Sequence, residues 1–280
     1  MGHFRRFLIA LSIPFVVYLL FVILPLLTSI LRQTPAHLWE VWRTSGIATA
    51  LGLSFAAATS AALVAALLCI PGGYLLARYD FPGKNLVEAV ADLPLTVPHT
   101  VAGIVLLFVF GSEGLIGSAA ERVGLSFYST FWGVLIAMLF VSAPFMLNQA
   151  REGFGSVPVR LEQAARTLGA PPAHVFWRIS LPLARSGVLS GLLLTWARAV
   201  SEVGAVSVIA YYPMTAPVHI YDMFQSSGLR VSGAEAVILL LAVLLFFLLC
   251  RWVIARLGQP RTLRVSKRWR GKRCDDGDAL

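Results

Sequence analysis

The amino-acid sequence predicts an all-α integral membrane protein: six transmembrane helices, with short cytoplasmic helices between spans 4 and 5. Three observations predict it. Of 280 residues, 58% are hydrophobic and only 13% are charged, against about 45–50% and about 25% in soluble domains, so lipid is the expected solvent. Apolar runs of spanning length, about 20 residues, recur along most of the chain. The basic residues outweigh the acidic ones to give a net charge of +9, and they fall between and beside the apolar runs, as topology signals do. The same placement argues against a nucleic-acid partner, which needs a basic stripe on a soluble face.

The runs at 7–31, 51–77, 130–149 and 234–254 each have the length of a span. The run at 186–211 is long enough but carries Arg198 and Glu202. The run at 97–110 is short, and it spans only if it starts near Leu93 and Pro94. Arg5 and Arg6 precede the first run, as in a secretory leader. That run exceeds the usual h-region of about 7–15 residues and no clear small-residue cleavage site follows, so it is expected to stay as a span. Residues 1–47 then form the N-terminal end, first span and external loop. Residues 48–254 form the transmembrane core, and 255–280 a basic tail. That tail runs through Arg261, Arg264, Lys267, Arg268, Arg270, Lys272 and Arg273 before turning acidic at Asp275, Asp276 and Asp278. Its low apolar content predicts disorder. Cys69, Cys250 and Cys274 lie in no C-x-x-C or Cys/His spacing, so neither a metal site nor a disulfide framework is indicated.

Orientation follows from the Lys/Arg asymmetry of short loops. With the N-terminus inside, the inner segments hold Arg5, Arg6, Arg78, Lys84, Arg151, Arg160, Arg166, Arg178, Arg185 and the basic tail; the outer segments hold only Arg32, Arg43, Arg122 and Arg230. The expected location is the plasma (inner) membrane, multi-pass, with both termini cytoplasmic.

The longest polar cytoplasmic stretch, 151–182, reads REGFGSVPVRLEQAARTLGAPPAHVFWRISLP. Pro158 suits a first helical turn, where its missing N–H is not needed. Leu161, Ala165 and Leu168 share one helix face, and Glu162 precedes Arg166 by four in the favourable order. Gly169 can take a left-handed cap, after which Pro171 and Pro172 block continuation. A second short helix is expected near 173–178. Ala164, Ala165 and Gly169 are small enough for another surface to approach the backbone. From periodicity alone the loop reads first as an ordinary amphipathic segment at the interface.

The loop resembles the EAA motif of binding-protein-dependent ABC importer permeases, E-A-A-x3-G-x9-I-x-L-P. Ala164, Ala165, Gly169, Ile179, Leu181 and Pro182 match it, including the nine-residue gap; Gln163 stands where the motif has Glu, and Glu162 lies one residue earlier. The resemblance covers roughly 48–254 and implies the type I, MetI-like fold. It is nearest the molybdate/tungstate permeases, through ARYDFPGK at 77–84, DLPLTVPHTVAGIVLLFVFG at 92–111 and WARAVSEVGAVSVIAYYP at 196–213. It implies a permease homodimer, a cytoplasmic ABC ATPase dimer and an external substrate-binding protein. The cargo implied is a tetrahedral oxyanion, molybdate or tungstate favoured, with sulfate or thiosulfate as the alternative. Glu162, Gln163, Ala164, Ala165, Gly169, Ile179, Leu181 and Pro182 would then couple this chain to the ATPase. ATP would be bound by that partner, and this chain would need no cofactor.

No G-x-x-x-x-G-K-[ST] phosphate loop occurs: Gly83 and Lys84 are followed by Asn85 and lack the upstream glycine. Arg198 and Glu202, four apart, can pair; each costs about 2.5–3.5 kcal/mol at the bilayer centre if left to lipid. Two readings stay open: an internal ion pair that fixes packing, or a polar point on a translocation path, with Ser201 and His99 beside it, where Arg198 would attract an oxyanion. Asp92, Pro94, Pro98 and His99 open the third span. Its prolines interrupt backbone bonding and favour a position facing a cavity or a partner. Gly187 and Gly191 form a G-x-x-x-G pair suited to close helix contact. An ion-coupled secondary transporter, the rival class, would need internal inverted repeats and more intramembrane carboxylates; Glu202 is the one found deep in a span.

A reporter fused after Leu280 should be active only on the cytoplasmic side. Activity outside would overturn the orientation.

Overall fold

The computed structural model describes residues 2–258, and among them it contains helices and turns but no strand. In chain order the helices are α1 (Gly2–Leu31), α2 (Pro35–Thr44), α3 (Ile47–Arg78), α4 (Lys84–Thr96), α5 (His99–Phe110), α6 (Gly117–Glu121), α7 (Phe131–Gly155), α8 (Val159–Thr167), α9 (Pro172–Val175), α10 (Leu181–Val200), α11 (Gly204–Ile209), α12 (Ala216–Ser227) and α13 (Leu229–Gly258). The predicted tail beyond Gly258 lies outside the described residues.

Among the described residues five stretches are long and apolar enough to cross a membrane: Ala10–Leu31, Ile47–Arg78, Phe131–Gly155, Pro172–Val200 and Leu229–Trp252. The sixth crossing is not the straight helix expected from 97–110. The candidate is the pair α4 and α5, bent by 115°, which makes a sixth crossing if the two count as one span. The cause is Pro98: the residue before a proline is pushed out of the helical region, and Val97 sits at φ −73°, ψ 131°.

The fifth span departs from 186–211 at both ends. Its helix begins earlier, at Pro172, and the short helix expected near 173–178 is not separate. α9 runs through a wide π turn, Phe176–Ser180, straight into α10. Pro182, near the start of α10, has no N–H for the carbonyl four residues back, and Leu181 N–H instead reaches Phe176 O, five back. At the other end the helix stops at Val200, and after a three-residue break α11 continues.

The core is a close approach of α3, α7 and α10. α3 buries a stripe of small residues, Ala57, Ala58, Ala61, Ala62, Ala65 and Ala66. This lets its backbone lie near α7: a Cβ at Gly73 would fall 2.7 Å from Ala150 Cβ. The predicted G-x-x-x-G pair serves the same purpose within the chain. A Cβ at Gly187 would sit 2.5 Å from Gly153 Cα, and one at Gly191 3.0 Å from Gln149 Cβ. In lipid such packing, rather than water exclusion, holds helices together. α1 stands apart, with none of its Ala10–Leu31 segment buried in the chain; a helix apolar all round suits that position.

Because Gly187 meets backbone rather than a movable side chain, Gly187→Val should destabilise the detergent-solubilised protein by about 1–3 kcal/mol or more, the usual cost of overpacking. A melting temperature equal to wild type would contradict the α7–α10 contact.

Candidate functional site

Two polar features stand out, one at each end of α10. At the start of α10 lies α8. Its N-cap is Pro158 (φ −61°, ψ 120°), and its C-terminus closes on Gly169 at φ +86°. Gly169 N–H donates to Arg166 O (2.9 Å) and Ala170 N–H to Ala165 O (3.1 Å), the paired bonds of a Schellman cap. A side chain at Gly169 would meet no neighbour within 4 Å, so the left-handed backbone alone asks for glycine.

The residues matched to the motif separate into three groups. Gln163, Ala164, Gly169 and Pro182 are exposed, and Ala165 is half-buried. Ile179 and Leu181 are half-buried, Leu181 against the core around Phe154 and Val188. Glu162 points inward and is the one buried residue of α8; it therefore cannot touch a partner, as a coupling contact would require. The apolar face read from the spacing turns outward, with Leu161 exposed and Leu168 89% exposed. Trp177, in the π turn, is also exposed.

Glu162 is held by a residue that the sequence reading treated only as a topology signal. Arg78, the last residue of α3, donates from Nε to both carboxylate oxygens (3.0 Å each) and from Nη2 to Oε1 (2.9 Å). The same Nη2 donates to Val157 O at 3.0 Å, and Ser180 Oγ donates to Glu162 Oε1 at 2.7 Å. The two charged side chains are 7% and 3% exposed. Removing one partner of such a pair typically costs about 3–5 kcal/mol. The two residues are 84 apart in sequence, so no local pattern announces the pair.

At the far end of α10 the structure brings together Arg198, Ser201, Glu202 and His99. Arg198 Nη2 donates to Glu202 Oε2 at 2.8 Å and lies 3.0 Å from each ring nitrogen of His99; Nη1 is 3.4 Å from Ser201 Oγ. Arg198 and Glu202 pair as expected, but not along one continuous helix, since Glu202 lies in the break beyond Val200. Its second oxygen accepts Ala205 N–H at 2.9 Å, where a carboxylate satisfies a free amide at the start of α11. Glu202 is 1% exposed, Arg198 21% and His99 49%. The carboxylate is thus sealed in, while the guanidinium and imidazole reach an open surface. Gly204 allows this: a Cβ there would lie 2.6 Å from His99 Cβ. The cluster offers N–H and O–H donors to an anion, with the charge of Arg198 largely offset by Glu202.

Other polar groups tie the frame. Asn148 Nδ2 donates to Asp92 Oδ1 at 2.7 Å, and Arg151 pairs with Glu88 at 2.9 Å, both joining α4 to α7. His219 on α12 lies 3.2 Å from the fully buried Glu235 on α13. Among the described residues no group of three His, Cys, Asp or Glu could hold a metal ion.

Residues 69–262 match the family model described as the binding-protein-dependent transport system inner membrane component. The molybdate/tungstate transport system permease protein of Thermococcus kodakarensis is 46% identical over 203 residues, 72% of this chain and 77% of its own length. The protein of the same description from Methanocaldococcus jannaschii is 40% identical over 247 residues, 88% of this chain and 96% of its own. A sulfate transport system permease protein of Synechococcus elongatus is 34% identical over 248 residues, 83% of this chain and 87% of its own. Among solved structures, a chain of a bacterial ABC transporter that imports the acidic polysaccharide alginate superposes with TM-score 0.72 at 16% identity, over 91% of this chain and 98% of that one. A chain of the MetNI methionine ABC transporter, inward facing, superposes with TM-score 0.60 at 16% identity, over 80% and 99%.

Proposed function

This chain belongs to the family of binding-protein-dependent transport system inner membrane components, and on that premise we propose that it is the permease subunit of an ATP-driven importer of molybdate or tungstate. The observation that carries the substrate is the gradient of identity: 40–46% to four relatives described as molybdate/tungstate permeases, against 31–34% to sulfate permeases. Sulfate or thiosulfate is therefore the second reading.

ATP is hydrolysed by a separate chain, since this one has no phosphate-binding loop. Two ATPase subunits dock on the cytoplasmic face, against the outward surface of α8 made by Leu161, Gln163, Ala164 and Leu168 and its cap at Gly169. An apolar patch rimmed by polar residues is what a partner covers. Two copies of the permease enclose the path, both termini of each lie in the cytoplasm, and an external binding protein delivers the anion. ATP closes the ATPase dimer, the two α8 helices approach, and the bundle opens outward.

Arg198, His99 and Ser201 line the path at the broken fifth span. A transit point must attract the anion but release it. Glu202, by offsetting the charge of Arg198, keeps that attraction weak. Selection then rests with the binding protein.

The test is reconstitution of the permease with its ATPase and binding protein in proteoliposomes. ATP-dependent uptake of molybdate should be competed by tungstate and not by equal sulfate; sulfate competing equally would favour the second reading, and uptake without ATP would remove the class. In the same vesicles Arg198→Lys, which keeps a cation beside Glu202 and leaves the Ala205 N–H bond in place but removes the guanidinium fork, should assemble yet transport less. Normal uptake would reduce Arg198 to a packing role.

A further inference from the structure

α8 is anchored in an uncommon way. A surface helix is normally held by an apolar stripe, yet the one residue α8 buries is Glu162. Its apolar side chains point outward. The anchor is therefore a carboxylate, and three parts of the chain converge on it. Arg78 brings the end of α3, Ser180 brings the π turn that opens α10, and Arg78 also grips Val157 O in the turn from α7 into α8.

We propose that Arg78, Glu162 and Ser180 form the rigid link through which movement of α8 passes to the second and fifth spans. The proposal rests on the reading of α8 as the helix on which the ATPase docks. Apolar contact is non-directional, so a helix held only by it could slide when pushed. A guanidinium fork on a carboxylate fixes both distance and orientation. Aromatic packing ties the same three elements together. Tyr74, one turn before Arg78, meets Phe154 of α7 and Phe176 of the π turn with ring centroids 5.2 and 5.0 Å away. With its side chains only 7% and 3% exposed, the pair has little water to exchange with and moves as a unit.

The link also has a destination. Ser180 leads directly into α10, whose 20 residues make a rod of about 30 Å. Arg198 is in the last turn of that rod, closed on Glu202 and His99. A displacement of α8 taken up at Ser180 therefore arrives at the polar cluster without crossing a loop. These three are positioning residues; none need touch the transported anion.

The experiment measures uptake per ATP hydrolysed, for each assembled complex, with full-length permease, ATPase and binding protein in proteoliposomes. Glu162→Gln keeps the shape and removes the charge; Arg78→Lys keeps the charge and removes the fork. Both should recruit the ATPase and allow hydrolysis, while uptake per ATP falls by roughly tenfold or more, the scale of losing one charged hydrogen bond. Ser180→Ala should lower it by a smaller factor. A purely structural role would reduce the yield of complex and leave the ratio in the surviving complex unchanged, and that result overturns the link. If neither charged-pair variant assembles, Ser180→Ala decides alone: a wild-type ratio overturns the proposal, a reduced one supports it. ATPase recruitment by the unmutated permease is scored separately. Its absence would sink the reading of α8 as a docking helix; a normal ratio in the variants would sink only the link.

Discussion

A buried carboxylate in a helical bundle is stabilised by a cation or an N–H, and two such carboxylates here, Glu162 and Glu202, sit where helices stop. Glu162 meets Arg78 where α3 ends and α10 begins. Glu202 meets Arg198 and Ala205 N–H where the fifth span breaks. Leaving either charge unpaired in a low-dielectric interior would cost several kcal/mol, of the order of about 3–5. Each pair therefore holds its break in one geometry, and a break is otherwise what a membrane segment least tolerates. The rest of the architecture depends on these two fixed points.

Between them lies a frame built for close approach. The alanine stripe of α3 and the glycines at 153 and 187 bring α3, α7 and α10 to backbone contact. Such packing is stiff because it leaves no side chain to rearrange. Stiffness along α10 suits a transporter subunit: its charged residues, Arg185 and Arg198, lie towards its ends, and the stretch 186–197 between them carries no charge. The bent α4–α5 pair follows the same logic, with Asp92 held by Asn148 beside the proline-induced bend.

How much of this the residues announced depends on the range of the interaction. Apolar runs mark the straight spans because a helix in lipid has to be apolar over its whole length. The Gly169 cap was legible because a left-handed turn has a local signature. The four residues named for a path were each conspicuous as polar groups in apolar surroundings, and they prove to be neighbours. The 115° bend was half legible: Pro94 and Pro98 mark an interruption, but hydropathy carries no angle. The break after Val200 has no proline and gave no warning; it is stabilised by Glu202, whose role there needs α11 in place. That Glu162 is turned inward was not legible, because Arg78, 84 residues away, is invisible to any local pattern, and helix spacing cannot say which face is turned in.

The central claim is that α8 is tied to its own chain through Glu162 and keeps its remaining faces for the ATPase. The most direct measurement is the labelling rate of Leu168→Cys, in a background lacking the native cysteines, with a water-soluble maleimide. Leu168 is the most exposed residue of this loop's apolar face, so the cysteine should react rapidly in the permease alone and be strongly protected once the ATPase is bound. Equal rates in the two states, with binding confirmed, would contradict the account.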